Sequence, residues 1–149
     1  MKEVKRVVMD ASALIKWFIV EEESKECRIL RDLHIKSEIE IYTCDLALIE
    51  IANALRYIPG LTVNDVVNSI EALRLLEIKF IDSNKIINNS IRIAYEFNLT
   101  VYDALYMALA EEINAPLITY DKELLAKFKN KSMKASAYLK QFNFVNKTL

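Results

Sequence analysis

The stretch EVKRVVM, residues 3–9, is followed at once by Asp10 and then by ASALIKWF, residues 11–18. The first segment is rich in valine and has the character of a buried β-strand, whereas the second has helical character. A strand that leads directly into a helix is the repeating unit of a parallel sheet. This stretch therefore predicts an α/β fold in which helices cover a sheet.

The same alternation of strand and helix continues along the chain. Further strands are predicted at residues 39–43, 78–82 and 116–120, with a weaker candidate at 133–137. Helical stretches lie between and after them, at residues 24–35, 46–57, 63–76, 85–97, 102–113 and 122–128. Strands that are apolar on both faces need helices on both sides, so the pattern predicts a three-layer α/β/α sandwich around a central parallel sheet of four to five strands.

Length and composition indicate one globular domain. A chain of 149 residues can bury one sizeable core, so we expect a single domain over residues 1–149. No apolar run approaches the roughly 18 residues of a membrane span, and the N-terminus lacks the pattern of a secretion signal, so we expect a cytoplasmic protein without membrane contact. Cys27 and Cys44 have no CxxC spacing, and we expect buried thiols instead of a disulfide or a zinc site.

The net charge of −1 conceals a basic C-terminal segment. Residues 122–149 carry seven lysines against one acid, Glu123. Such an excess of positive charge attracts a polyanion, because neutralising phosphates releases condensed counterions. A solvated lysine surface explains the charge equally well, so the segment by itself leaves both interpretations open.

Acidic residues occur where a parallel sheet places its ligands, beyond the carboxyl ends of the strands. Asp10 follows the first strand and Asp121 follows the fourth. Two otherwise apolar helices contribute one further acid each, Glu50 and Asp103. We therefore expect four carboxylates to lie near one edge of the sheet.

The three aspartates have a second explanation, which is helix capping. Asp10 and Asp121 each precede a helix and can accept a backbone N–H, while Asp103 lies three residues after Thr100, as in a capping box. Glu50 differs because it lies in the middle of its helix and has no basic residue nearby. Burying an unpaired carboxylate would cost more than the roughly 5–15 kcal/mol of a whole domain's stability, so Glu50 needs a proton, a shared cation or a solvent-facing position.

A divalent cation accounts for all four acids together. Carboxylates that meet at one edge repel each other and raise one another's pKa unless a cation is bound between them. Oxygen donors without a nearby histidine or cysteine favour Mg²⁺ or Mn²⁺ over zinc. His34, the only histidine, lies on the polar side of its helix, and we expect it to be a surface residue and not a ligand or a base.

Three segments resemble the successive signature blocks of PIN-domain ribonucleases, in particular the VapC-like toxins of prokaryotic toxin–antitoxin pairs. They are VVMDASALIKWF (7–18), LALIEIANAL (46–55) and TVYDALYMALAEEINAPLITYDKEL (100–124). The resemblance implies an α/β/α sandwich, a homodimer, and a small antitoxin protein as partner. It also implies a nuclease site that binds Mg²⁺ or Mn²⁺ through Asp10, Glu50, Asp103 and Asp121.

The function that follows from this resemblance is hydrolysis of RNA phosphodiester bonds by a metal-activated water. Ser12 and Thr119 are predicted to hydrogen-bond the metal-bound water or a phosphate oxygen, and Asn53 is predicted to orient Glu50. The lysine-rich C-terminal segment is predicted to hold the RNA backbone.

Three alternative functions stay open at the level of sequence. One is a PIN fold that has lost catalysis and serves as a binding module, against which the presence of all four acids argues. Another is a housekeeping RNA-processing nuclease with the same PIN fold and no antitoxin. The third is a receiver-type signalling domain, which also binds Mg²⁺ at strand ends but needs a pair of acids after the first strand, where Asp10 stands alone.

Overall fold

A computed structural model describes residues 4–141 and contains, over that range, one parallel five-stranded sheet flanked by helices. The strands are β1 (Lys5–Met9), β2 (Ile39–Cys44), β3 (Lys79–Ile81), β4 (Leu117–Ile118) and β5 (Ser132–Met133). Their order in the sheet is β3-β2-β1-β4-β5, and every neighbouring pair is parallel. The predicted α/β fold class is confirmed.

Eight α-helices flank this sheet in the described part of the chain. They are α1 (Ala11–Leu14), α2 (Ser24–Ile35), α3 (Leu46–Arg56), α4 (Val63–Leu75), α5 (Ile87–Phe97), α6 (Val101–Glu112), α7 (Lys122–Lys127) and α8 (Ala135–Gln141). Short 3₁₀ helices at Ile15–Trp17 and Ser83–Lys85 follow α1 and β3. Over residues 4–141 no helix combines the length and apolar character that crossing a bilayer requires.

The central strand β1 fixes where a site can form. Its last three residues are fully buried, because it lies between β2 and β4. From β1 the chain builds outward through β2 and β3 on one side, and it then returns to place β4 on the other side of β1. The crevice beyond the carboxyl ends of β1 and β4 is therefore the topological switch point, where ligands bind in open α/β sheets.

The weak strand predicted at 133–137 is largely wrong. Strand β5 ends at Met133, and α8 begins at Ala135. The Glu23 carboxylate accepts hydrogen bonds from the Ser136 backbone N–H at 3.0 Å and from its hydroxyl at 2.9 Å, and so caps the first turn of α8. A cap supplied by a residue so distant in sequence has no local signal.

The prediction for His34 also needs correction. Its ring is half-buried and bridges two backbone segments, accepting from the Ile41 N–H at 3.2 Å through Nδ1 and donating to the Leu76 carbonyl at 2.7 Å through Nε2. Because Nδ1 accepts a hydrogen bond, the ring is the neutral tautomer protonated at Nε2. His34 is therefore part of the scaffold, and both ring nitrogens are already engaged. Cys27 and Cys44 are buried free thiols, as predicted.

Lys127 and Lys131 of the basic C-terminal segment have partners within the fold, and Lys131 forms an ion pair with Glu111 at 3.9 Å. Lys127 donates to the carbonyls of Phe97 and Asn98, at 2.7 and 3.1 Å, and so satisfies the C-terminus of α5. Lys122, Lys129 and Lys140 are exposed. Lys147 lies outside the described residues.

Candidate active site

The switch point brings Asp10 and Thr119 together. Met9 pairs with Ile118 across β1 and β4, so the next residue of each strand lies at the same level beyond the sheet. The Asp10 backbone N–H still donates to the Ile118 carbonyl at 3.3 Å, which continues the ladder by one step. Both side chains therefore lie on one side of the sheet, within hydrogen-bonding reach of each other.

Asp10 is held by three donors. Oδ1 accepts from the Ser12 hydroxyl at 2.6 Å and from the Ala13 N–H at 3.1 Å, and Oδ2 accepts from the Thr119 hydroxyl at 2.5 Å. The residue is only 4% exposed. Asp10 does cap α1, as the alternative explanation held, but the two hydroxyl bonds go beyond what a cap requires and fix the carboxylate in the crevice.

The two hydroxyls also connect Asp10 to the segment that carries Asp121. The Tyr120 N–H donates to the Ser12 hydroxyl at 2.9 Å, and the Asp121 N–H donates to the Thr119 hydroxyl at 3.0 Å. Ser12 and Thr119 thus lie next to Asp10, and both hydroxyls donate to its carboxylate. Their predicted contact with a metal-bound water or a phosphate oxygen stays a prediction.

Asp121 and Asp103 both lie at the start of a helix, but only the Asp121 side chain caps its helix. Asp121 Oδ1 accepts from the Leu124 N–H at 2.9 Å and caps α7. The Asp103 N–H donates to the Thr100 hydroxyl at 3.1 Å, but the Asp103 carboxylate makes no hydrogen bond within residues 4–141. By contrast, Asp65 at the start of α4 forms a complete capping box with Thr62. The Asp65 N–H donates to the Thr62 hydroxyl, and the Asp65 carboxylate accepts from the Thr62 N–H. The side chain of Asp103 is thus not used for capping.

Glu50 projects from the middle of α3 toward α6, where it meets Tyr106. The tyrosine hydroxyl donates to Glu50 Oε1, and the tyrosine itself is 2% exposed. Tyr106 was not predicted as a site residue, because in the sequence it resembles the other apolar residues of its helix. The available signal was its spacing, since Tyr106 lies three residues after Asp103 and therefore on the same helical face.

Asn53 does not have the predicted contact with Glu50. It is exposed on α3, and within residues 4–141 no hydrogen bond joins it to Glu50. One turn further toward the N-terminus, Ile49 is also 68% exposed, so this side of α3 faces outward. The helix buries its opposite side through Ala47, Ile51 and Leu55.

The sequence and fold of this chain are similar to those of known proteins. The family model described as PIN domain matches residues 7–131. The chain belongs to the PIN domain family. Ribonuclease VapC3 of Pyrobaculum aerophilum is 32% identical over 133 residues, which covers 83% of this chain and 95% of that protein. The family resemblance seen in the sequence is thereby confirmed, and the receiver-type alternative is set aside.

Solved structures share the architecture of this PIN domain. The crystal structure of PAE2754 from Pyrobaculum aerophilum superposes with a TM-score of 0.67 at 25% identity, covering 93% of this chain and 94% of that one. A toxin–antitoxin complex from Klebsiella pneumoniae gives 0.63 at 19% identity, covering 87% and 97%. Mycobacterium tuberculosis VapC20, described as a sarcin-ricin loop cleaving toxin, gives 0.59 at 15% identity, covering 80% and 93%. The last two likenesses establish the fold alone.

The acids of this PIN domain form a chain of mutually repelling charges. Burial raises the pKa of Asp10 to about 6, hydrogen bonds from Ser12, Thr119 and Ala13 oppose the rise, and the charge of Glu50 adds to it. Burial also raises the pKa of Glu50, with a further contribution from Asp103, and it raises the pKa of Asp103, with a further contribution from Asp121. Asp121, Asp103 and Glu50 thus each lie close enough to the next acid in the series for their negative charge to raise its pKa.

The donor chemistry of the PIN domain crevice fits a hard divalent cation. Its ionisable groups are carboxylates, and within residues 4–141 none of the four forms an ion pair with lysine or arginine. Over the same range no three acidic, histidine or cysteine side chains already stand in a compact metal-binding group. The four acids therefore supply suitable oxygens but must draw together to share an ion.

Proposed function

We propose that this PIN domain is a metal-dependent endoribonuclease that hydrolyses RNA phosphodiester bonds. The observation that carries the proposal is the series of neighbouring acids that begins at the β1–β4 switch point, in which Asp121 raises the pKa of Asp103, Asp103 that of Glu50 and Glu50 that of Asp10. Within residues 4–141 none of these four acids forms an ion pair with lysine or arginine. The relative named Ribonuclease VapC3, which matches along nearly its whole length, supports the same chemistry. We further propose that residues 1–149 form one such domain, of which the family model covers residues 7–131.

In this proposal the four carboxylates hold Mg²⁺ or Mn²⁺. The bound ion would supply a water of lowered pKa and offset charge on the phosphate and the leaving oxygen. Ser12 and Thr119 would act as residues that orient a metal ligand, because their hydroxyls donate to the Asp10 carboxylate and fix its position in the crevice. His34 has both ring nitrogens engaged with the backbone, so one of the carboxylates would accept the proton of the attacking water.

RNA cleavage with and without metal tests this function. We expect the purified protein to cut RNA in Mg²⁺ or Mn²⁺ and to lose that activity in excess EDTA, because the proposed reaction depends on the bound ion to lower the pKa of the attacking water. Activity should return when Mn²⁺ is added in excess over the chelator. Cleavage that persists in EDTA would contradict the proposed chemistry.

We propose in addition that the protein is a cytoplasmic toxin, paired as a homodimer and held inactive by a small antitoxin protein. The fold that it shares with a chain of a toxin–antitoxin complex supports this assignment. The exposed lysines of residues 122–141 would contact the RNA backbone.

The neighbouring reading frames distinguish a toxin from a housekeeping nuclease. A short adjacent frame whose product blocks RNA cleavage would support the toxin assignment. The absence of such a frame would favour the housekeeping nuclease.

A further inference from the structure

The Tyr106 hydroxyl and the Glu50 carboxylate depend on each other. Within residues 4–141, the bond between them is the only hydrogen bond that either group makes. Tyr106 is only 2% exposed in α6, so almost all of its side chain is shielded from bulk water. A buried hydroxyl without a partner destabilises the fold, and this contact supplies the partner.

The other acids have different supports. Asp10 is held by three donors, two from residues that follow it closely and one from Thr119, the residue after β4. Asp121 is held by the first turn of α7. Glu50 lies inside α3, where the neighbouring backbone N–H groups are used by the helix itself. Its side chain also has more rotatable bonds than an aspartate. Without a side-chain donor from another helix, its carboxylate would be free to sample several positions.

Helix α6 supplies that donor along with an acid of its own. Asp103 and Tyr106 lie three residues apart, so both face the crevice from the same side of α6. Tyrosine suits the task because its ring turns about only two bonds and is packed in the core. One helix therefore places one carboxylate directly and a second one through a hydroxyl.

We propose that Tyr106 is a positioning residue that aims the Glu50 carboxylate at the metal. The proposal rests on the proposed function in taking Glu50 as a metal ligand. Residues that orient a ligand typically contribute 10–100-fold to metal affinity or activity. Tyr106→Phe keeps the buried ring and removes only the hydroxyl. We therefore expect about 10–100-fold weaker Mn²⁺ binding and a comparably lower kcat, with an unchanged KM for RNA because Tyr106 does not reach the surface.

A double-mutant cycle on Mn²⁺ affinity tests whether the effect passes through Glu50. The four proteins are wild type, Tyr106→Phe, Glu50→Ala and the double variant, each titrated with Mn²⁺ by isothermal calorimetry. Once Glu50 is absent, loss of the hydroxyl should weaken Mn²⁺ binding no further. Tyr95→Phe is the matched control, since Tyr95 is 86% exposed on α5 and its variant should bind Mn²⁺ like wild type.

Three results would overturn the proposal. They are wild-type Mn²⁺ affinity in Tyr106→Phe, the same additional loss in the Glu50→Ala background, or no Mn²⁺ binding by the wild type. The cycle measures Mn²⁺ affinity and not RNA cleavage. It therefore tests the role of Tyr106 independently of the proposed ribonuclease activity. A wild type that binds Mn²⁺ but cuts no RNA would end the ribonuclease proposal, while the cycle would still decide the role of Tyr106.

Discussion

Replacing Asp10 by asparagine should lower RNA cleavage by about a thousandfold, which corresponds to about 4 kcal/mol of transition-state stabilisation. Asp10 lies at the centre of the crevice, and Ser12 and Thr119 both donate to it. Asparagine has nearly the same shape, and its carbonyl oxygen can keep the bonds from Ser12 and the Ala13 N–H. The variant therefore loses the negative charge that a metal needs while keeping the fold.

The measurement is a cleavage assay in Mg²⁺, accompanied by circular dichroism to show that the variant is folded. Asp65→Asn is the matched control, because Asp65 also caps a helix and accepts hydrogen bonds but is exposed on α4. It should cut RNA at the wild-type rate. Wild-type activity in Asp10→Asn would remove Asp10 from the catalytic centre.

Without metal, the same Asp10→Asn change should raise the melting temperature at pH 8. The pKa of Asp10 is about 6 in the folded protein against an ordinary value of 3.8, so the folded state binds this proton more tightly. The resulting stability is complete below pH 3.8 and is lost as the pH rises through about 6, a total of about 3 kcal/mol. Asparagine carries no charge, so the variant does not lose that stability.

Differential scanning calorimetry in EDTA at pH 5 and pH 8 measures this effect. The wild type should melt at lower temperature at pH 8 than Asp10→Asn, by several degrees, and the gap should narrow at pH 5. Asp65→Asn should have the opposite sign and lower the melting temperature at pH 8, because hydrogen bonds from Thr62 lower the pKa of Asp65. A lower melting temperature of Asp10→Asn at pH 8 would show that its charge is not a cost to the metal-free fold.

The acids could be predicted from sequence because each breaks a local pattern. Asp10 and Asp121 come directly after strand residues of a parallel sheet, where chain order alone indicates a shared edge. Glu50 stands in an apolar helix with no capping role, which is unusual enough to require a partner. For Asp103 the spacing to Thr100 suggested a capping box, and only the structure shows that, among residues 4–141, its carboxylate makes no return bond.

The supports of these acids could not be predicted, because they depend on contacts between distant segments. In the sequence Tyr106 is indistinguishable from an ordinary core aromatic residue, and its hydrogen bond to Glu50 is visible only once the fold has brought α3 and α6 together. In the same way Glu23 caps α8 across 113 positions in sequence, which turned a weak strand pattern into a helix. Sequence periodicity reports the face a residue occupies and not the atom its side chain reaches.

The most direct test of the central claim is an anomalous difference map from crystals soaked in Mn²⁺. If the four acids form one metal centre, the map should show a peak at the β1–β4 switch point. That peak should lie within about 2.5 Å of carboxylate oxygens from Asp10 and at least one of the other three acids. A map with no peak there, or with Mn²⁺ bound only elsewhere on the protein, would contradict the account.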